Sequence, residues 1–354
     1  MRILITGICG FVGSTLARAW ADAGAGHTVF GVDNLIRPGS ETNRGDLRRL
    51  GVTVFHRDIR LASDFESLPA VDWVVDAAAN PSVLAGVDGR TNSRQLIEHN
   101  LLGTVNMLEY CRAHRAGFIL LSTSRVYSIA QLSAIRVEPV NGGFRPEPDQ
   151  PIPGLSEHGV SEAFSTDAPR SLYGASKLAS EQLALEYGTT FDFPVWINRC
   201  GVLAGAGQFG RVDQGIFSYW IHSWARHRPI AYIGFGGSGH QVRDCLHARD
   251  LVPLIDCQLV ASRAGKPAVV NVSGGMASAC SLKQMSEWCA ERFGPHAVSV
   301  QPERRSFDIP WLVLDSRAAG REWGWSPATS REAVFEEIAT HAAANPDWLD
   351  VSVD

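Results

Sequence analysis

Over the first 120 residues, short apolar runs alternate with longer segments of helical period. Ile3-Leu4-Ile5, Thr28-Val29-Phe30-Gly31-Val32, Val52-Thr53-Val54-Phe55, Trp73-Val74-Val75 and Phe118-Ile119-Leu120-Leu121 are too short for helices and read as buried strands. Phe11 to Ala23 and Leu96 to His114 carry the helical spacing between them. Strand and helix in alternation predict an α/β fold, a doubly wound parallel sheet of Rossmann type with helices on both faces.

The rhythm breaks from Ile129 to Arg170, a stretch rich in Pro, Gly and Ser with no helical period. A connection of that length inside a compact domain is usually functional or mobile. A helix resumes over Ser171 to Tyr187 and a strand over Val195 to Asn198. Beyond Gly205, glycine turns, short strands and short helices mix irregularly. This predicts a nucleotide-binding domain over residues 1–204, including the long connection. A smaller α/β substrate lobe follows over 205–354, with some segments returning to the first domain. Asn271-Val272-Ser273 and a closing helix from Arg331 to Ala342 are assigned to the lobe.

Composition narrows the class. Apolar residues make up 45% and charged residues 19% of 354, enough to build a sizeable core. The net charge of -5 offers no basic surface for a nucleic-acid backbone. Seven cysteines without metal-like spacing suggest idle thiols in a reducing compartment, and no metal site is expected. The apolar start is too brief for a signal peptide and no run is long enough to span a bilayer, so a cytoplasmic protein is expected.

Candidate chemistry begins at Thr6-Gly7-Ile8-Cys9-Gly10-Phe11-Val12-Gly13, which follows a strand and opens a helix. Gly7 permits a tight turn, Gly10 lets a phosphate approach the backbone, and Gly13 lets helix and strand pack closely. The helix start at Phe11 and Val12 offers amide donors and a positive dipole end to a pyrophosphate. Asp33, with Asn34 beside it, ends the second strand, where a carboxylate binds adenosine ribose hydroxyls and repels a 2′-phosphate. NAD is therefore favoured over NADP, although Arg37 lies close by. Ala77-Ala78-Ala79-Asn80 follows the fourth strand. Its small side chains suit either a cofactor lying on the backbone or tight core packing. Leu121-Ser122-Thr123-Ser124-Arg125-Val126-Tyr127 ends the fifth strand with a run of hydroxyls. Tyr173-Gly174-Ala175-Ser176-Lys177 puts a phenol and an ammonium on one helix face at i, i+4.

The Gly-x-x-Gly-x-x-Gly spacing, with Ser-Thr-Ser and Tyr-x-x-x-Lys in register, resembles the extended short-chain dehydrogenase/reductase family. The C-terminal series Gly207-Gln208-Phe209, Asp213-Gln214-Gly215, Gln241-Val242-Arg243-Asp244 and Pro302-Glu303-Arg304-Arg305 is similar to its nucleotide-sugar epimerases, most of all the CDP-paratose 2-epimerase group. The resemblance implies NAD as cofactor, a nucleotide-diphospho-sugar as substrate, and epimerisation through a transient ketone, at carbon 2 in that group. It assigns Thr123, Tyr173 and Lys177 to catalysis, with Tyr173 as acid/base. It places Ser122 and the segment Asp58-Ile59 at the cofactor and gives Asn100 a structural place beside it. Ser124, Arg243 and Arg304 are implied substrate contacts, the arginines on the diphosphate. Gln208 and Gln241 are implied contacts to nucleotide or sugar. It further implies a homodimer formed through the helices Leu96 to His114 and Ser171 to Tyr187.

An ammonium near Tyr173 and a nicotinamide cation are both expected to pull the phenol down toward neutral pH. Two departures stand out. The group's Arg-His-Ser-Ser-Met-Tyr-Gly-Gly-Arg-Gln-Phe is here Arg199-Cys200-Gly201-Val202-Leu203-Ala204-Gly205-Ala206-Gly207-Gln208-Phe209, which alters the sugar pocket. Where related 4,6-dehydratases place Asp-Glu after the catalytic Thr, this chain has Ser124-Arg125, and a guanidinium cannot act as the acid for elimination. Epimerisation remains the first reading, net oxidation or reduction of a nucleotide sugar the second, and a non-catalytic dinucleotide sensor the third.

Overall fold

A computed structural model describes residues 1–87, 89, 92–212, 214–303 and 306–351. Seven strands form one parallel sheet. They are β1 (Arg2–Thr6), β2 (Thr28–Asp33), β3 (Thr53–His56), β4 (Trp73–Asp76), β5 (Gly117–Thr123), β6 (Val195–Cys200) and β7 (Val269–Val272). Their spatial order is β7-β6-β5-β4-β1-β2-β3. The winding reverses between β1 and β4, and in open sheets of this kind ligands bind outside the strand ends at that reversal.

Alternation along each strand feeds two cores. Ile3 and Ile5 pack on one face with Leu16, Trp20, Val75 and Ile119. Leu4 packs on the other with Val74, Met107, Phe118 and Leu120. Helix α1 (Phe11–Asp22) and α2 (Glu41–Arg49) follow β1 and β2. Helix α3, residues 93–114, begins at Ser93–Ile97, widens to π geometry over Glu98–Leu102 and returns to α over Gly103–His114. Such single-turn π segments are frequent near functional sites. Helix α4 (Leu172–Thr190) is capped by Ser171, whose hydroxyl accepts the Gly174 N–H.

Two expectations need correction. Asn271 and Val272 do not belong to the lobe: Val269–Val272 pairs with β6 as the seventh strand of the central sheet. A short apolar run of this kind cannot announce its partner, because the pairing is long-range. The connection 129–170 is also built rather than formless. It contains a helix Ile129–Ala134 and the hairpins Val137–Val140/Gly143–Pro146 and Leu155–Ser156/Gly159–Val160. Its Leu132, Val160 and Phe164 join a core with Trp311 and Leu312, so this segment is tied to the C-terminal half by apolar burial.

The remaining lobe packs α5 (Ile216–Ala225), α7 (Leu282–Phe293) and α8 (Arg331–Ala344) around Phe217, Trp220, Met285, Phe335 and Ile338. Helix α6 (Leu251–Val260) lies instead against the sheet, with Leu254 and Ile255 in the first core. Within α5, His222 is 1% exposed. Its Nε2 lies 3.3 Å from His341 Nδ1. Burial, then the neighbouring His341, pushes its imidazole down to about 3. An unfolded histidine titrates near ~6.5. Between those values the unfolded chain binds the extra proton, so stability rises with pH across that window and is lost as pH falls through it. We expect the unfolding free energy from urea titrations to drop between pH 7 and pH 5, by on the order of 1 kcal/mol per pH unit at most from this group. The drop should be smaller in His222→Asn; an identical pH dependence in that variant would contradict the assignment.

Candidate active site

The strand ends at the reversal carry a buried polar network. Thr6 donates its hydroxyl to Asp76 Oδ1 at 2.6 Å, and Thr104 of α3 donates to Asp76 Oδ2 at 2.9 Å. The Thr6 oxygen in turn accepts the N–H groups of Ala77 and Ala78 at 3.1 and 3.0 Å. These bonds fix the turn after β4 against the turn after β1. Together they floor a cavity of about 1080 Å³ that runs from the sheet into the lobe.

The glycine turn forms one wall. Gly7 holds a φ of +62°, and a side chain there would meet the Ala78 backbone at 2.9 Å. The Gly10 N–H closes the turn on Gly7 O at 2.9 Å. A Cβ on Gly13 would lie 2.4 Å from Gly7 O. No side chain caps the start of α1 and its first turn carries no acidic residue, so its free amides and dipole end remain available to an anion. Asp33 accepts the Cys9 and Leu35 N–H groups at 2.9 and 2.8 Å, which aims the carboxylate along the same wall. Burial raises its carboxyl above the ordinary value. This wall fits an adenosine diphosphate moiety: a cradle that any Cβ would fill, amide donors, and a carboxylate for ribose hydroxyls. Arg37 does not wait for a 2′-phosphate. Its Nη1 donates to Gln214 Oε1 at 2.6 Å and its Nη2 to Phe209 O at 2.8 Å, so it ties the cofactor side to the lobe.

Most of the residues singled out by sequence meet on this one cavity. Gly7, Gly10, Phe11, Val12, Gly13, Asp33 and Asn34 line it, as do Ile59, Ala77, Ala78, Ala79, Ser122, Thr123, Ser124, Tyr173, Gln208, Gln241 and Arg243. Three lie behind the wall. The Asp58 carboxylate is engaged by Arg60 and by Asn34 Nδ2 at 3.1 Å, and these partners hold it down to about 2. Asn100 accepts the Asn80 N–H at 2.8 Å and donates to Asn80 O and Ser176 Oγ, bracing the turn after β4. Lys177 is 1% exposed beneath the cavity. Arg304 lies outside the described residues, as do Asp213 and Arg305.

The chemistry sits where β5 faces α4. Thr123 and Tyr173 both line the cavity here, close enough for the Thr123 side chain to act on the phenol. Burial raises the Tyr173 phenol above its ordinary value; the Thr123 side chain and the Arg125 charge pull against that rise. The lowering expected from Lys177 is therefore not what this structure shows. Burial is what raises the phenol, and burial also lowers the Lys177 ammonium from its usual value, against the charges of Asp76, Glu181 and Cys200. No hydrogen bond or ion pair holds the Lys177 ammonium among the described residues, which leaves its donors for a ribose.

Sequence reading missed the support under this pair. Glu181 continues the Tyr173, Lys177 face of α4 by one more turn. It accepts Ser122 Oγ at 2.5 Å and the Arg199 fork at 2.7 to 3.1 Å, and is fully buried. The i, i+4, i+8 spacing was the available signal. The far end of the cavity, walled by Phe217, Trp220, Ile230 and Met285, was also missed. Its residues come from elements whose association only the fold reveals.

Residues 3–273 match the NAD dependent epimerase/dehydratase family, and the chain belongs to it. Its cofactor is NAD, which suits the glycine wall and Asp33. The chain is 28% identical to the CDP-paratose 2-epimerase of Salmonella typhi, over 93% of this chain and 96% of that one. It is 26% identical to the UDP-glucose 4-epimerase of Corynebacterium glutamicum, over 98% and 97%. Among solved structures it is similar to the Bacillus cereus UDP-glucuronic acid 4-epimerase in complex with UDP-glucuronic acid and NAD. There the TM-score is 0.77 at 24% identity, covering 97% of this chain and 99% of the other.

The Gly13 geometry gives a direct test of the cofactor wall. Gly13→Ala must displace the turn, at a cost of about 1–3 kcal/mol for overpacking. We expect NAD released from the denatured, purified variant to fall at least tenfold below the wild-type level. Full NAD content in that variant would contradict the cradle.

Proposed function

We propose that this enzyme epimerises a nucleotide-diphospho-sugar, at carbon 2 as in the CDP-paratose group. The observation that carries the reading is the meeting of Thr123 and Tyr173 on the cavity walled by the glycine turn and Asp33, with Lys177 buried on the same helix face and no carboxylate after Thr123. Bound NAD supplies a hydride acceptor that later gives the hydride back, and a cationic ring. Thr123 orients the reacting sugar hydroxyl. Tyr173, as phenolate, takes its proton and returns it to the keto sugar after that sugar has presented its other face. Lys177 holds the cofactor ribose. Ser124 and Arg125 stand where elimination of water needs an acid, which favours epimerisation over dehydration. Gln208 and Gln241 each bury a side-chain oxygen with no partner among the described residues, and these are assigned to donors on the nucleotide or sugar.

Tyr173→Phe removes the proton carrier without removing the ring. Turnover should fall by at least 10³-fold, within the range for loss of an acid/base group, while NAD content stays at the wild-type level. The assay is a screen of CDP-, UDP-, GDP- and dTDP-sugars read by NMR for an inverted stereocentre. Stoichiometric NADH release from added NAD, without inversion, would favour a net dehydrogenase.

The homodimer belongs to the same proposal. Ile97 and Leu102 on α3 and Leu172 at the start of α4 are exposed and border one shallow hollow with Arg94 and Glu98. Exposed apolar side chains clustered on adjacent helices suit a two-fold helix pairing. Light scattering should give a dimer mass, and Leu102→Glu should shift it toward the monomer. A monomeric wild type would reject the pairing.

A further inference from the structure

Among the described residues that line the reacting end of the cavity, two guanidinium groups face one carboxylate. Arg125 and Arg243 both line that end, and Asp308 is the carboxylate between them. The Arg243 fork is already occupied. Its Nη1 donates to Val242 O at 2.7 Å, and its Nη2 to Ile309 O at 2.9 Å and Asp308 Oδ1 at 3.3 Å. Asp308 is further engaged by the Ile309 N–H at 2.9 Å. Arg125 is different: among the described residues its side chain makes one hydrogen bond, a long one of 3.3 Å from Nη1 to Phe307 O. Among the described residues no carboxylate reaches it at ion-pair distance. Burial, then the Arg243 charge, pushes its guanidinium down to about 10, which still leaves it protonated at neutral pH.

A guanidinium kept half-buried beside a second cation is costly unless an anion completes the site. Its position says which part of a substrate that anion belongs to. Arg125 follows the Thr123-Ser124 pair directly, and its charge is felt by the Tyr173 phenol. Its backbone also packs on α4 within the same turn: a Cβ on Gly174 would lie 2.1 Å from Arg125 O. This is the reacting end of the cavity. The planar fork of arginine matches a carboxylate through two parallel hydrogen bonds.

We infer that Arg125 reads a carboxylate on the sugar itself, so that the substrate is a nucleotide-activated acidic sugar of the hexuronate class. Resting on the epimerase reading, this names the substrate class of that site. A neutral hexose would leave the guanidinium facing a hydroxyl and its charge unanswered. A uronate would pair it and keep Arg243 free to hold Asp308.

The test compares UDP-glucuronate with UDP-glucose, and the same pair carried on CDP, on the NAD-loaded enzyme. Binding is read by calorimetry and turnover by NMR. Wild type should favour the acidic member of a pair by at least 30-fold in Kd. Arg125→Gln should lose about 100-fold on the acidic member and less than threefold on the neutral one, with Arg125→Lys between them, and NAD content reporting that the variants are folded. Equal binding of both members by wild type overturns the inference. So does an equal loss on both in Arg125→Gln, which would place the guanidinium on the diphosphate. A third contrary outcome is a displaced pH profile of kcat on the neutral sugar with no change in Kd, which would make Arg125 a positioning residue for Tyr173. If neither member is turned over but the Arg125-dependent preference persists, the epimerase reading fails while the acidic-sugar site stands.

Discussion

The site is arranged around the contact between Thr6 and Asp76, where the sheet reverses its winding. A parallel sheet puts all its strand ends on one edge, but it does not by itself fix the turns that leave them. Here one threonine hydroxyl donates to Asp76 and accepts two backbone N–H groups of the turn after β4, while Thr104 secures the other carboxylate oxygen. Both turns that face the cofactor are thereby locked by bonds within a low-dielectric interior, where unmade hydrogen bonds are expensive. The close approach of Gly7 to Ala78 depends on this lock.

The second constraint is the gradation of charge along one face of α4. Tyr173 opens on the cavity, Lys177 lies under it, and Glu181 is fully buried, neutralised by Arg199 and hydrogen-bonded by Ser122. Buried cations need buried partners, and the partners chosen here are offset from the phenol. The ammonium feels the charges of Asp76 and Glu181 without bonding to either among the described residues, so its donors stay available. The cost is a phenol raised by burial. A cofactor that brings its own positive charge fits that state, because it would supply the field that the protein alone withholds.

The lobe serves chemistry by closing the far end of the cavity. Arg37 crosses to Phe209 and Gln214, and the 129–170 connection shares an apolar core with Trp311 and Leu312. These links commit residues distant in sequence to one rigid wall. They also bring Arg125, Arg243 and Asp308 to a single place although they come from three separate segments.

The chain order of strands and helices, the glycine turn, Asp33, and the Tyr173/Lys177 pair were legible in sequence, because each depends on local spacing: period 2 or 3.6, a turn that tolerates no Cβ, an i, i+4 face. The cofactor and the family follow from those features alone. Three things needed tertiary structure. The first is that Val269–Val272 completes the sheet, since strand pairing is long-range. The second is which cations are satisfied, since Arg37 and Arg243 are occupied by carbonyls and side chains far along the chain whereas Arg125 is nearly free. The third is the direction of the Tyr173 titration, which is set by burial, and burial cannot be counted from a motif.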